Sequence, residues 1–155
     1  MARDQIAENT MAAPDCVFQV GDNWSEPMMF TEQDIQSVAL LVGDPNPVHH
    51  DLDLARETRF GGLIASGSHV AAMMGGAVAR FITSRGAGLG TDIHFSLKRA
   101  VRADIAMTAS WTVTRVEPHR RPNCHVVEFE GRLTHGDDLL VVGSLKCIVS
   151  RETFF

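Results

Sequence analysis

Apolar and polar residues alternate with period two over four stretches in the C-terminal half of the chain, and each stretch predicts a half-buried strand. From Thr91, the residues Ile93, Phe95 and Leu97 alternate with Asp92, His94, Ser96 and Lys98. From Ile105, Met107, Ala109, Trp111 and Val113 alternate with Ala106, Thr108, Ser110 and Thr112. Val127, Phe129, Gly131 and Leu133 form a third face, and Leu139, Val141, Gly143, Leu145, Cys147 and Val149 a fourth. Turn signals at residues 118–122 and 135–138 separate them.

Ahead of the strands, residues 60–79 carry no formal charge. Twenty such residues match the thickness of a bilayer, but five glycines (Gly61, Gly62, Gly67, Gly75, Gly76) with Ser66, Ser68 and His69 make a poor membrane helix, and Arg80 ends the run. The pattern predicts a loop over 61–67 and a helix over 68–83. That helix is apolar nearly all round and so must be buried on most sides. A sheet curling around it would do this, which predicts an α+β domain. Farther upstream, Thr31 and Asp34 have the spacing of a capping box, and Ile35, Val38, Ala39 and Val42 share one face, giving a short surface helix ending at Gly43. A second short helix starts with Asp51 or Asp53 as N-cap and runs to Thr58. Residues 1–15 show no periodicity and are expected to be poorly ordered. With no repeat and no internal boundary, residues 1–155 read as one domain.

Composition narrows the function. The chain of 155 residues is 45% hydrophobic and 21% charged, enough for one packed core. Its net charge of -5 has the wrong sign for a partner that is a polyphosphate backbone, so nucleic-acid binding is not expected. No secretory signal is visible at the start. Cys16, Cys124 and Cys147 are odd in number and widely spaced, which fits reduced thiols in the cytoplasm better than disulfides or zinc. Charge is unevenly placed: residues 1–60 hold 11 acidic and 3 basic side chains, residues 80–121 hold 8 basic and 3 acidic. The basic stretch is either a solvated sheet edge or a seat for a small phosphorylated ligand.

The segment Gly43-Asp44-Pro45-Asn46-Pro47-Val48-His49-His50-Asp51 is the richest in chemistry. On a helix, Asp44 and His49 would stand about 140° apart. Pro45 and Pro47 oppose a helix and favour a stiff, extended bend, which Asn46 can lock by bonding neighbouring backbone. Such a bend can turn both side chains toward one point, where a carboxylate and an imidazole can hold a water and act as acid and base. Spacing alone leaves the plainer alternative open, in which Asp44 closes a turn, His49 is a satisfied polar residue and the prolines merely end a helix. His49, His50 and Asp51 diverge in direction, so no metal site is expected. Nucleophile-elbow, P-loop and dinucleotide fingerprints are absent.

The string from Gly43 to His49, followed eleven residues later by Phe60-Gly61-Gly62-Leu63-Ile64-Ala65-Ser66-Gly67, resembles the MaoC-like dehydratases, or (R)-specific enoyl-CoA hydratases. The resemblance runs from about Val20 to Val149. It implies the hotdog fold, a long central helix wrapped by an antiparallel sheet. It also implies a hydro-lyase without a cofactor, reversibly adding water in syn fashion to a trans-2-enoyl thioester to give the (R)-3-hydroxyacyl thioester. Asp44 and His49 would hold the water, with Asn46, Pro47 and Ser66 supporting the motif. The backbone N–H of Gly67 would meet the enolate oxygen, in keeping with the positive end of a helix. Two positions depart from the family: Ser66-Gly67 stands where many members have His-Gly, and Gly75 where some have Ser. Gly75 implies either close helix packing or room for a bulky acyl group, and His69 reads as a core or interface histidine. Lys98, Arg99 and Arg102 are candidates for the phosphates of coenzyme A, unless arginines of a second copy meet them. The substrate would be an acyl-CoA or an acyl-carrier thioester, and the assembly a homodimer or a dimer of dimers. Two alternatives are a catalytically silent acyl-thioester binding subunit and a hotdog acyl-CoA thioesterase. The latter needs a carboxylate on or near the central helix, and residues 68–84 contain none.

Overall fold

The computed structural model describes residues 16–152, and the expectation for residues 1–15 lies outside them. Strands β1 (Asn23–Met28), β2 (Ala87–Leu97), β3 (Met107–Pro118), β4 (Cys124–His135) and β5 (Asp138–Ser150) form one antiparallel sheet in the order β1-β3-β4-β5-β2. All four alternating stretches are strands, and β1 is an addition that the pattern did not predict. Its sequence, Asn-Trp-Ser-Glu-Pro-Met, has weak alternation because it is an edge strand paired with β3 alone. β3 continues to Pro118, beyond the predicted end at Val113, because a register shift between Val113 and Arg115 inverts the alternation there. β2 starts at Ala87 rather than Thr91. Its early glycine is required: a Cβ at Gly88 would lie 2.6 Å from the side chain of Ile82.

The core lies on one face of this sheet and centres on Trp111, which is 1% exposed. Two glycines at inward positions make room for its aromatic neighbourhood. A Cβ at Gly131 would sit 2.4 Å from the Trp111 indole, and one at Gly143 would sit 2.3 Å from the Phe95 ring. Either residue as alanine would force the rings to move.

Helix α1 (Glu32–Val42) begins as read from the sequence, with Thr31 Oγ1 accepting from the Asp34 N–H at 3.0 Å. It stops at Gly43, whose φ of 72° is left-handed. Only Ile35 and Ala39 of its predicted face are buried, and Val42 is exposed. Helix α2 (Leu52–Glu57) takes Asp51, not Asp53, as its N-cap. The long helix α3 (Gly67–Thr83) starts one residue before the predicted position. The sheet covers only one side of it: Val70, Met74, Ala77 and Val78 are buried, whereas Ala72, Ala79 and Thr83 are exposed. The expectation of a helix buried on most sides is therefore not met within one chain. A groove of about 330 Å³ remains between α3 and β2, lined by Ala72, Gly75, Ala79, Ile93 and Cys147 among others. No helix among the described residues is long and apolar enough to cross a membrane.

Candidate active site

The left-handed Gly43 turns the chain out of α1 and delivers Asp44, whose N–H donates to the Ala39 carbonyl at 2.9 Å. One carboxylate oxygen, Oδ1, then accepts from the Asn46 N–H at 3.0 Å. Asn46 in turn caps a single 3-10 turn, Pro47–His49, its Oδ1 accepting from the Val48 N–H at 3.4 Å. This turn corrects the expectation of a purely extended bend. Pro47 occupies the first position, where its missing N–H would have no helical acceptor, so it starts the turn instead of preventing it.

The outcome is a close approach of the two motif side chains, with His49 Nε2 lying 3.4 Å from Asp44 Oδ2. The His49 side chain is 8% exposed and that of Asp44 33%, so the imidazole is buried while the carboxylate reaches solvent. His49 Nδ1 lies 2.7 Å from the carbonyl oxygen of Ile64. A carbonyl only accepts, which makes Nδ1 the donor and leaves the lone pair of neutral His49 on Nε2. His50 has a different task. Its Nε2 donates to the Asp44 carbonyl at 2.6 Å, and its own carbonyl accepts from Gln36, so it braces the turn. Among the described residues no cluster of His, Cys, Asp and Glu could hold a metal ion.

The second motif block meets the first through backbone. The Ile64 N–H donates to the Val48 carbonyl at 3.2 Å, and residues 63–65 pair with 101–103 through Ala65 N–H to Val101 (2.8 Å) and Ala103 N–H to Leu63 (3.0 Å). Ser66, 2% exposed, is the N-cap of α3 and accepts from the His69 N–H at 3.3 Å. Where the family pattern has His, serine is thus explained locally: it is a good capping residue. Gly67 is the first residue of α3. Its N–H belongs to the opening turn, whose amides lack intrahelical acceptors.

The remaining predicted residues lie farther out. Arg102 pairs by a β-bridge with Ile64, and its guanidinium reaches over the loop, 3.5 Å from where a Gly61 Cβ would be. Arg99 is held by Asp138 at 3.0 Å, and Lys98 is exposed. Much of the basic stretch is neutralised at the surface, Arg80 by Glu26, Arg85 by Asp22 and Arg115 by Glu117. Gly75 lines the groove on α3, apart from Asp44 and His49, and a Cβ there would meet nothing within 4 Å. Close packing inside one chain does not account for it. His69 is a core residue, 3% exposed, with its ring edge-to-face on Phe30 at 4.9 Å. Sequence reasoning missed Ile64, whose role is carried by its backbone and so leaves no trace in side-chain type.

The fold has known counterparts. R-hydratase PhaJ1 from Pseudomonas aeruginosa is 23% identical, with a TM-score of 0.74 over 92% of this chain and 88% of its own. An (R)-hydratase from A. caviae involved in PHA biosynthesis is 24% identical, with a TM-score of 0.72 over 84% of this chain and 96% of its own. A MaoC-like dehydratase from Rhodospirillum rubrum is 25% identical, with a TM-score of 0.71 over 88% and 96%. The architecture is therefore the hotdog fold, in the α+β class. Comparison with curated protein sequences gives no match. The sequence profile of the family described as MaoC like domain matches residues 19–134, a span that takes in the Asp44 turn, Gly67 and all of α3. On that span, the chain belongs to the MaoC-like domain family.

Proposed function

We propose that the protein is a hydro-lyase that reversibly adds water to a trans-2-enoyl thioester, with Asp44 and His49 as the catalytic pair. The observation that carries this reading is the 3.4 Å separation of Asp44 Oδ2 and His49 Nε2, with the other polar atom of each group already engaged. That separation exceeds an ordinary hydrogen bond. The two groups are not locked to one another, and a water between them can donate one hydrogen to each. Its lone pair is then free to attack C3. As the O–C3 bond forms, the water's proton passes to one member of the pair and the π electrons move toward the thioester oxygen. The Gly67 N–H at the start of α3 would stabilise that oxyanion, a contribution typically on the order of 10² to 10³ in rate. The pair returns a proton to C2 on the face from which water came, which makes the addition syn.

Asn46 and Pro47 set the turn, and Ser66 fixes the helix start that presents Gly67. Lys98, Arg99 and Arg102 would serve the phosphates of the substrate, an acyl-CoA or acyl-carrier thioester. Gly75 and the α3 groove belong to the assembly. An apolar helix half covered by its own sheet, beside the unpaired edge of β2 with Leu89, Ile93 and Leu97 exposed, calls for a second copy of the chain. The assembly would be a homodimer or a dimer of dimers, working in the cytoplasm. A thioesterase reading loses support from α3, which carries no carboxylate between Gly67 and Thr83. The test is hydration of crotonyl-CoA and of longer and branched enoyl-CoA esters, followed by loss of the conjugated thioester absorbance. Absence of turnover on all of them, with coenzyme A still bound, would favour a silent binding subunit and overturn the proposal.

A further inference from the structure

We infer that His50 is a positioning residue for the hydration reaction: through the Asp44 carbonyl it fixes the peptide that aims the Asp44 carboxylate at His49. This rests on the hydro-lyase reading and adds to it a residue one place beyond the string from Gly43 to His49 that carries the family resemblance. The peptide between Asp44 and Pro45 is the weak point of the turn. Its nitrogen belongs to proline and carries no hydrogen, so hydrogen bonding can hold this peptide only at its oxygen. That oxygen accepts from His50 Nε2 at 2.6 Å. The N–H of Asp44 is tied separately, to the Ala39 carbonyl at 2.9 Å. The backbone on the two sides of the Asp44 Cα is thereby fixed, by α1 on one side and by the imidazole on the other.

A rotation of this peptide would swing Pro45, and with it the Asn46 N–H that grips Asp44 Oδ1 at 3.0 Å. Oδ2 would then lose its place 3.4 Å from His49 Nε2. His50 can resist that rotation because its own backbone is held at both ends. Its N–H donates to the Pro47 carbonyl at 3.0 Å, and its carbonyl accepts from Gln36 Nε2 on α1 at 2.9 Å. The two adjacent imidazoles, when neutral, are thus set in opposite tautomers by two carbonyls. His49 carries its hydrogen on Nδ1, toward Ile64, and turns a lone pair to Asp44; His50 carries its hydrogen on Nε2 and leaves Nδ1 bare. One ring is free to exchange a proton with the water, and the other is committed to holding the carboxylate's backbone.

The experiment is hydration of enoyl-CoA esters by the full chain and its variants. His50→Leu removes the donor at similar bulk and should lower kcat about 10-fold or more with KM near its original value, since a misplacement of 1 Å can cost on the order of 10² in rate. His50→Gln, whose amide N–H can reach the place of Nε2, should restore most of the rate. In the Asp44→Asn background, His50→Leu should change kcat by no more than about 2-fold, because the group it positions no longer acts. Equal kcat in wild type and His50→Leu, or the same fractional loss in the Asp44→Asn background, would overturn the inference. Nitrogen NMR of the wild-type rings gives a check that depends on no destabilised variant: His50 should bear its hydrogen on Nε2 and His49 on Nδ1, and a His50 ring with its hydrogen on Nδ1 alone would overturn the inference. The two readings fail separately. No hydration of any enoyl-CoA by wild type would remove the reaction and this role together, whereas hydration that His50→Leu leaves intact would remove the role alone.

Discussion

The carbonyl oxygen of Ile64 lies 2.7 Å from Nδ1 of His49, while the N–H of Ile64 donates to Val48 in the turn that carries the histidine. One residue of the second motif block therefore fixes both the place and the tautomer of His49 in the first. The free lone pair on Nε2 faces Asp44 because Nδ1 has been given a partner that can only accept.

The proposed roles of Asp44 and His49 make definite expectations for their variants. Asp44→Asn and His49→Ala should each lower kcat by about 10² to 10⁴, the usual worth of a positioned acid or base. In the proposed mechanism both groups grip one water, so the double variant should fall little below the slower single variant. Initial rates of enoyl-CoA hydration check this. Losses that multiply in the double variant would argue against a shared water.

Ser66→Ala removes the cap of α3 and should cost about 1 kcal/mol of stability. The same change loosens the helix start at Gly67, so kcat should fall while KM stays near its original value. Ser66→Thr keeps the capping oxygen and should restore both. Thermal melts and hydration kinetics on the three proteins separate this from a purely structural role, for which kcat would not follow the cap.

Much of this arrangement is legible in the sequence because its signals are local. Thr31 with Asp34, Gly43 and Asp51 mark helix ends through side-chain or φ chemistry that needs no distant partner; the first two ends are as read, and of the two caps the sequence offered for α2 the chain uses Asp51. The alternating strands are legible for the same reason. What escapes is set by contacts far along the chain. β1 is held by pairing with β3, some 79 to 89 residues away in sequence, and its own residues show little strand pattern. The glycines of β4 and β5 look like weak points until Trp111 and Phe95 are seen lying across them. At the candidate site, Asp44 and His49 stand out by residue type and spacing and Gly67 only through the family resemblance, whereas the Ile64 carbonyl and the Arg102 bridge are backbone relationships that no residue type announces.

The open side of α3 predicts the oligomeric state. Wild type should sediment as a dimer or larger, and Ala72→Glu and Ile93→Glu, which place carboxylates in the groove, should shift it to monomer. Both positions are exposed in the single chain, Ile93 at 60%, so each monomer should keep its far-ultraviolet spectrum. A wild-type monomer with full activity would refute the assembly.

His69 gives the fold a pH dependence of definite sign. Burial in the first turn of α3 lowers its pKa, and the carboxylate of Asp34 on α1 opposes this to a smaller extent. Its Nδ1 has no hydrogen-bond partner, and Phe30 packs edge-on against the ring, so the site favours the neutral imidazole. In the unfolded chain the group takes up a proton near its ordinary pKa of about 6.5. As pH falls below that value the unfolded state binds more protons than the folded one, and stability is lost until the folded pKa is passed. Above about pH 6.5 the contribution is fully present. A neutral side chain of similar bulk removes the effect, so Tm of His69→Met should fall less steeply than wild type between about pH 7 and pH 5. Carboxylates elsewhere, Asp34 among them, titrate in both proteins, so the difference between the two melting curves isolates the histidine. Parallel curves over that range would show that the imidazole is protonated as readily in the folded chain as in the unfolded one.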